Sequence, residues 1–190
     1  MAFVALLDAN ALYPAYVRDA LLRLVEAEVY QVRWSRQILD EMSRNVLANN
    51  PDLPGENMER LVRTMERAFP EAMVVGHEPL IPSMTNDPKD RHVLAAAIRG
   101  RADVIVTSNV RDFPPEACEP YDVDVQTPDE FLSHQWEIED PDYLLRVLEN
   151  WASALRSPPL SLEELLEKLS GAAPNFSETV LAFSRERASR

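Results

Sequence analysis

Phe3-Val4-Ala5-Leu6-Leu7-Asp8 is a continuous apolar run stopped by a carboxylate. A strand reads this way when helices cover both faces of its sheet, so that no alternating polar positions are needed. Val104-Ile105-Val106-Thr107 is a second run of the same kind, β-branched and again ending in a polar residue. Helical patterns lie between the two. Val17, Leu21, Leu22, Leu24 and Val25 share one face. Ser35 caps a helix from about Arg36 to Leu47, stopped by Asn49-Asn50-Pro51, and Met58, Leu61, Val62, Met65 and Phe69 line another over 54–69. Asp87-Pro88 reads as the start of a helix through Ile98, with Gly100 just past its end. Weaker strand candidates are Tyr30–Trp34, Ala72–Val75 and Val123–Val125, and Thr127-Pro128 opens a short helix through Leu132. Strands alternating with helices predict a three-layer α/β/α sandwich with a mostly parallel central sheet over residues 1–134.

Residues 135–190 read as a helical C-terminal extension. Asp140-Pro141 starts a helix carrying Leu144, Leu145, Leu148, Trp151 and Leu155, which Pro158-Pro159 breaks. Ser161 and Glu164 have the spacing of a capping box for the next helix, closed by Gly171, and a last helix covers about Phe176–Arg187.

Composition narrows the function. The 190 residues carry a net charge of −13, with four glycines and one cysteine. A lone Cys118 forms no internal disulfide, so a reducing cytoplasm is the expected compartment. Met1-Ala2-Phe3-Val4 has no basic leader region, and no apolar run reaches membrane length. Gly55, Gly76, Gly100 and Gly171 are too scattered for a P-loop or a dinucleotide turn, and there is no G-x-S-x-G elbow. Strong acidity argues against nucleic acid, whose phosphates select Lys and Arg, but the charge is uneven. Residues 1–113 hold 16 acids and 13 bases, whereas residues 114–170 hold 14 acids and 3 bases.

The chemistry left is that of carboxylates at strand ends and helix starts. Ligands of open α/β sheets bind beyond the carboxyl ends of the strands. Asp8 ends the first strand; Asn109 and Asp112 follow the second; Asp90 lies in the first turn of the helix before it. Glu41 sits between the apolar residues Ile38, Leu39 and Met42. Several carboxylates together suit a hard divalent cation. Each also has a plainer role: Asp8 as a helix cap, Glu41 as a solvated carboxylate, Asp90 as a first-turn acid favoured by the helix dipole.

Four segments, taken together, resemble a known family. Leu7-Asp8-Ala9-Asn10-Ala11-Leu12, Ile38-Leu39-Asp40-Glu41, Asp87-Pro88-Lys89-Asp90-Arg91-His92-Val93-Leu94 and Val106-Thr107-Ser108-Asn109-Val110-Arg111-Asp112-Phe113 match PIN-domain nucleases of the VapC toxin type in order and spacing. The resemblance covers about residues 1–134. It implies a ribonuclease dependent on Mg2+ or Mn2+, with Asp8, Glu41, Asp90 and a fourth acid as metal ligands and catalytic groups. Many members have Asp at the position of Asn109; here Asp112 is taken as the fourth acid and Asn109 as a polar ligand or water-positioner, the reverse assignment staying open. Thr107 is read as supporting a site carboxylate, and Arg18 and Arg111 as phosphate contacts. His92 is read as a packing or hydrogen-bonding residue, because the site is rich in oxygen donors. RNA is the implied substrate and a cognate antitoxin the implied partner, with a homodimer as a further expectation. The rivals are a catalytically inactive PIN-like module binding RNA or protein, and a receiver-like phosphotransfer domain using Asp8. The latter lacks the required lysine, since Lys89 precedes its strand.

Overall fold

The computed structural model describes residues 3–155 and 159–189. In chain order, β1 (Val4–Leu7), α1 (Ala9–Leu12) and α2 (Ala15–Glu26) lead into β2 (Gln31–Ser35), α3 (Arg36–Asn49), α4 (Gly55–Ala68) and β3 (Met73–Val74). Next come α5 (Arg91–Gly100), β4 (Val104–Val106), α6 (Pro115–Cys118) and β5 (Asp124–Gln126). The last four elements are α7 (Pro128–Ile138), α8 (Pro141–Ala154), α9 (Leu162–Ser170) and α10 (Pro174–Ala188). The chain divides into two compact units: residues up to Pro14 with Tyr30–Thr127, and Ala15–Val29 with the residues from Pro128 on.

The first unit is built on one sheet of five strands in the order β3-β2-β1-β4-β5, every pair parallel. This is the expected α/β class, and the physical reason is the one read from the two apolar runs. Ala5, Leu6 and Leu7 of β1, and Val104, Ile105 and Val106 of β4, have no solvent exposure. Leu7 is in register with Val106. The order reverses at β1, with β2 on one side and β4 on the other, so crossover connections leave in opposite directions and open a crevice at the carboxyl ends of these two strands. At the opposite end the Asp103 carboxylate accepts from the Val4 N–H (2.8 Å), pinning the start of β1 to the start of β4.

Two local expectations are corrected. Asp87-Pro88 does not open α5. The Asp87 carboxylate instead accepts from the Lys89 N–H (2.9 Å) in an Asx turn, and helix geometry begins only at Arg91. The left-handed residue that closes α5 is Arg101 (φ 52°), not Gly100. Gly100 answers a packing demand: a Cβ there would stand 2.8 Å from Val74 Cγ2 on β3.

The second unit is helical. Ser161 and Glu164 form the expected capping box at α9, and Asp140 caps α8 through the Asp142 N–H (3.0 Å). Pro158 lies outside the described residues. The helix expected to end at Leu132 runs on as α7 to Ile138, because Trp136 packs edge-on against Phe176 and Phe183 of α10. Asp129 on α7 accepts the Phe176 N–H (3.0 Å) and so anchors the first turn of α10. α2 belongs here: Tyr16 packs on Trp151 of α8 (ring centroids 6.5 Å apart), under Lys168 of α9. Among the described residues no helix is long and apolar enough to cross a membrane.

Candidate active site

Asp8 follows β1, and Thr107 follows β4. Their strands are paired so that the Asp8 N–H donates to the Val106 carbonyl (3.1 Å), which places the two side chains beside each other in the crevice. The Asp8 carboxylate is 2 % exposed and accepts three hydrogen bonds: from the Ala9 N–H (2.7 Å), Asn10 Nδ2 (2.8 Å) and Thr107 Oγ1 (2.8 Å). Asn10 ties the two loops together, since its Oδ1 accepts from the Ser108 N–H (2.6 Å) and its Nδ2 lies 3.0 Å from Thr107 Oγ1. Asn10 was missed as a functional candidate. Its signal was the Asp8-x-Asn10 spacing, which brings both side chains to the start of a helix.

The remaining acids arrive on other elements. Glu41 comes from the middle of α3, and Asp90 from the residue before α5, where its side chain makes no capping bond. Asp112 ends a single 3-10 turn, Val110–Asp112, after β4, and the Asp87 N–H holds that turn through the Asp112 carbonyl (3.1 Å). The Asp90 carboxyl hydrogen-bonds the Asp112 carboxyl and feels the charges of Asp8, Asp112 and Glu41. All four predicted acids therefore act on one electrostatic site. Asn109 differs: it is exposed and touches the site through its backbone N–H, donated to Thr107 Oγ1 (3.1 Å).

Burial, then the charges of Asp8, Asp112 and Glu41, push Asp90 up to about 7. Burial raises Asp8 to about 6, aided by the charge of Glu41 and opposed by its hydrogen bonds to Thr107, Ala9 and Asn10. His92, 4 % exposed on α5, places Nε2 3.5 Å from Glu41 Oε2. Burial, with the charges of His77 and Arg44, holds it down at about 4, so it is a neutral neighbour of Glu41 at pH 7.

The donor set is all carboxylate, which fits a hard divalent cation. Among the described residues, however, no three His, Cys, Asp or Glu side chains are already arranged to hold an ion. A cation here would keep several waters, as Mg2+ commonly does. Of the two arginines read as phosphate contacts, Arg111 is exposed beside Asp112. Arg18 lies on α2 in the second unit, buried, with its guanidinium 3.8 Å from Asp19.

Comparison with known proteins identifies the family. Residues 4–111 match the family described as PIN domain, and residues 128–182 match the one described as VapC50 C-terminal domain. A protein of Mycobacterium tuberculosis (strain ATCC 25618 / H37Rv) named "Putative ribonuclease VapC50" is 40% identical over 105 residues, which is 55% of this chain and 62% of that protein. The match thus spans less than two thirds of the relative's length. No solved structure matches the chain.

Proposed function

The chain belongs to the PIN-domain family, and we propose on that footing that it is a ribonuclease, hydrolysing RNA phosphodiester bonds with Mg2+ or Mn2+. The observation that carries the reading is the gathering of Asp8, Glu41 and Asp112 around Asp90, close enough for their charges to act on it, where the strand order reverses. Crowding four acids costs stability, and a site with no use for a cation has no reason to keep them.

Asp8, Glu41, Asp90 and Asp112 are the residues that would hold the ion. When bound, it would lower the pKa of a water for attack and offset charge on the phosphate. Thr107 and Asn10 lock the Asp8 carboxylate in one orientation, so its free lone pairs face the crevice. Neutral His92 limits the freedom of Glu41. Asp90, raised to about 7, would give up its proton to a cation, and Arg111 lies on the same turn as Asp112 for the substrate phosphate.

The match over residues 128–182 supports a VapC-type toxin, with a cognate antitoxin as partner. Cleavage of single-stranded RNA is the test, run with Mn2+, with Mg2+ and with EDTA on wild type and Asp8→Asn. Cleavage that needs the ion and Asp8 is expected. Cleavage that survives EDTA or the substitution refutes the mechanism, and a wild type inert towards RNA with either ion favours an inactive binding module.

A further inference from the structure

A groove of about 350 Å3 opens beside the acids, between α3 and the segment that follows β3. Gln37, Asp40 and Arg44 line it from α3, and Val75, His77 and Glu78 line it from the opposite side. Arg36, Gln37, Asp40 and Arg44 share one face of α3, adjoining the face that carries Glu41. The charge of Arg44 acts on His92, itself 3.5 Å from Glu41. His92 thus links the groove to Glu41, within the reach of an RNA strand that extends from the acids.

The lining argues for a nucleobase over a phosphate. Arg36, also at the groove, is bound to Glu66 (3.1 Å), leaving Arg44 against the carboxylates of Asp40 and Glu78. Such a surface does not attract a phosphate, but it offers a cationic fork and carboxylate acceptors within one cavity. His77 adds a second, independent sign. It is 4 % exposed, lines the groove, and neither ring nitrogen has a hydrogen-bond partner among the described residues. Val75 is 70 % exposed, an apolar surface against which a base face can rest.

We propose that this groove reads one base of the RNA flanking the scissile phosphate, and that the base is guanine. Arg44 donates to O6 and N7, the commonest specific arginine–base pairing. Asp40 or Glu78 accepts from N1–H and the 2-amino group, which no other base presents side by side. Single-stranded RNA is read on these edges because its bases are splayed out. This inference rests on the ribonuclease reading, and its test separates the two.

A randomised 12-nucleotide single-stranded RNA pool is cleaved by wild type, Arg44→Ala, Asp40→Asn and Glu78→Gln, and the products are sequenced. Wild type is expected to favour guanine at one position next to the cut. Arg44→Ala and at least one carboxylate variant are expected to cut that preference about 10-fold, the value of one good base contact. All three substitutions are on exposed side chains, and their thermal midpoints check folding. Cleavage without base preference, or a preference untouched by all three variants, overturns the groove assignment while the nuclease reading stands. A loss shared equally by all sequences overturns it too, because the groove would then hold backbone. A wild type that cleaves nothing overturns both.

Discussion

Thr107 Oγ1 donates to Asp8 Oδ2 at 2.8 Å, joining two residues 99 positions apart across the central strand pair. Both are buried, Thr107 completely. The bond sets the orientation of the carboxylate, opposes its protonation, and links the two loops that follow β1 and β4. Thr107→Val keeps the shape and removes the donor. A loss of about 1–3 kcal/mol in urea unfolding is expected, together with weaker Mn2+ binding. Thr107→Ser retains the hydroxyl and should recover most of both. Equal stability of the Val and Ser variants would show that the bond contributes nothing.

Asp8→Asn should separate stability from activity. The folded-state pKa of Asp8, about 6, lies above the 3.8 ordinary for an aspartate. Folding therefore penalises the charged form: the cost is absent below the unfolded value and complete above the folded one. Relative to wild type in EDTA, Asp8→Asn is expected to gain about 2–3 kcal/mol more at pH 8 than at pH 4, following 1.36 kcal/mol per unit. RNA cleavage should be lost at both. Denaturant titrations at the two pH values check the sign, and a gain confined to low pH would contradict it.

Cation binding should compete with protons at Asp90 and Asp8. With Asp90 raised to about 7 and Asp8 to about 6, the site is protonated in mildly acid solution and ionised above neutrality. Mn2+ is expected to raise the unfolding temperature clearly at pH 8 and little at pH 5, and cleavage should fall as pH drops through 7. Asp112→Asn removes one repelling charge from Asp90 and should shift the profile to lower pH. A pH-independent Mn2+ effect would show that the ion binds elsewhere.

Gly100→Ala tests a packing constraint away from the acids. Alanine favours a helix over glycine by about 1 kcal/mol, but its Cβ would meet Val74 Cγ2 at 2.8 Å and Arg33 Cγ at 3.4 Å. Strain of this kind costs about 1–3 kcal/mol, so a net loss of up to about 2 kcal/mol is expected. Thermal unfolding reads it directly, and a stabilised variant would mean that α5 can slide on β3.

Local physical chemistry made much of the molecule legible in its sequence. The two apolar runs ending at Asp8 and Thr107 could only be buried parallel strands, and the caps at Ser35, Asp140 and Ser161 depend on neighbours a few residues away. Asp8 and Asp90 could be named because strand ends and helix starts are predictable places, whereas Glu41, in mid-helix, and Asp112 joined them through the family resemblance. Tertiary structure decided which side chains meet. Only the pairing of β1 with β4 brings Asn10 to Ser108, and only the packing of α5 on the sheet sets Asp90 against Asp112 and His92 against Glu41. The start of α5 was misread because Asp87 caps a turn as readily as a helix, a choice settled by the Asp87–Asp112 backbone bond. Charge shows the same division. Along the chain the acidity gathers in residues 114–170, but with Ala15–Val29 placed in the helical unit the two units carry −6 and −7. Sequence position records where charges are written; the Coulomb energy depends on distance in space, which only folding supplies.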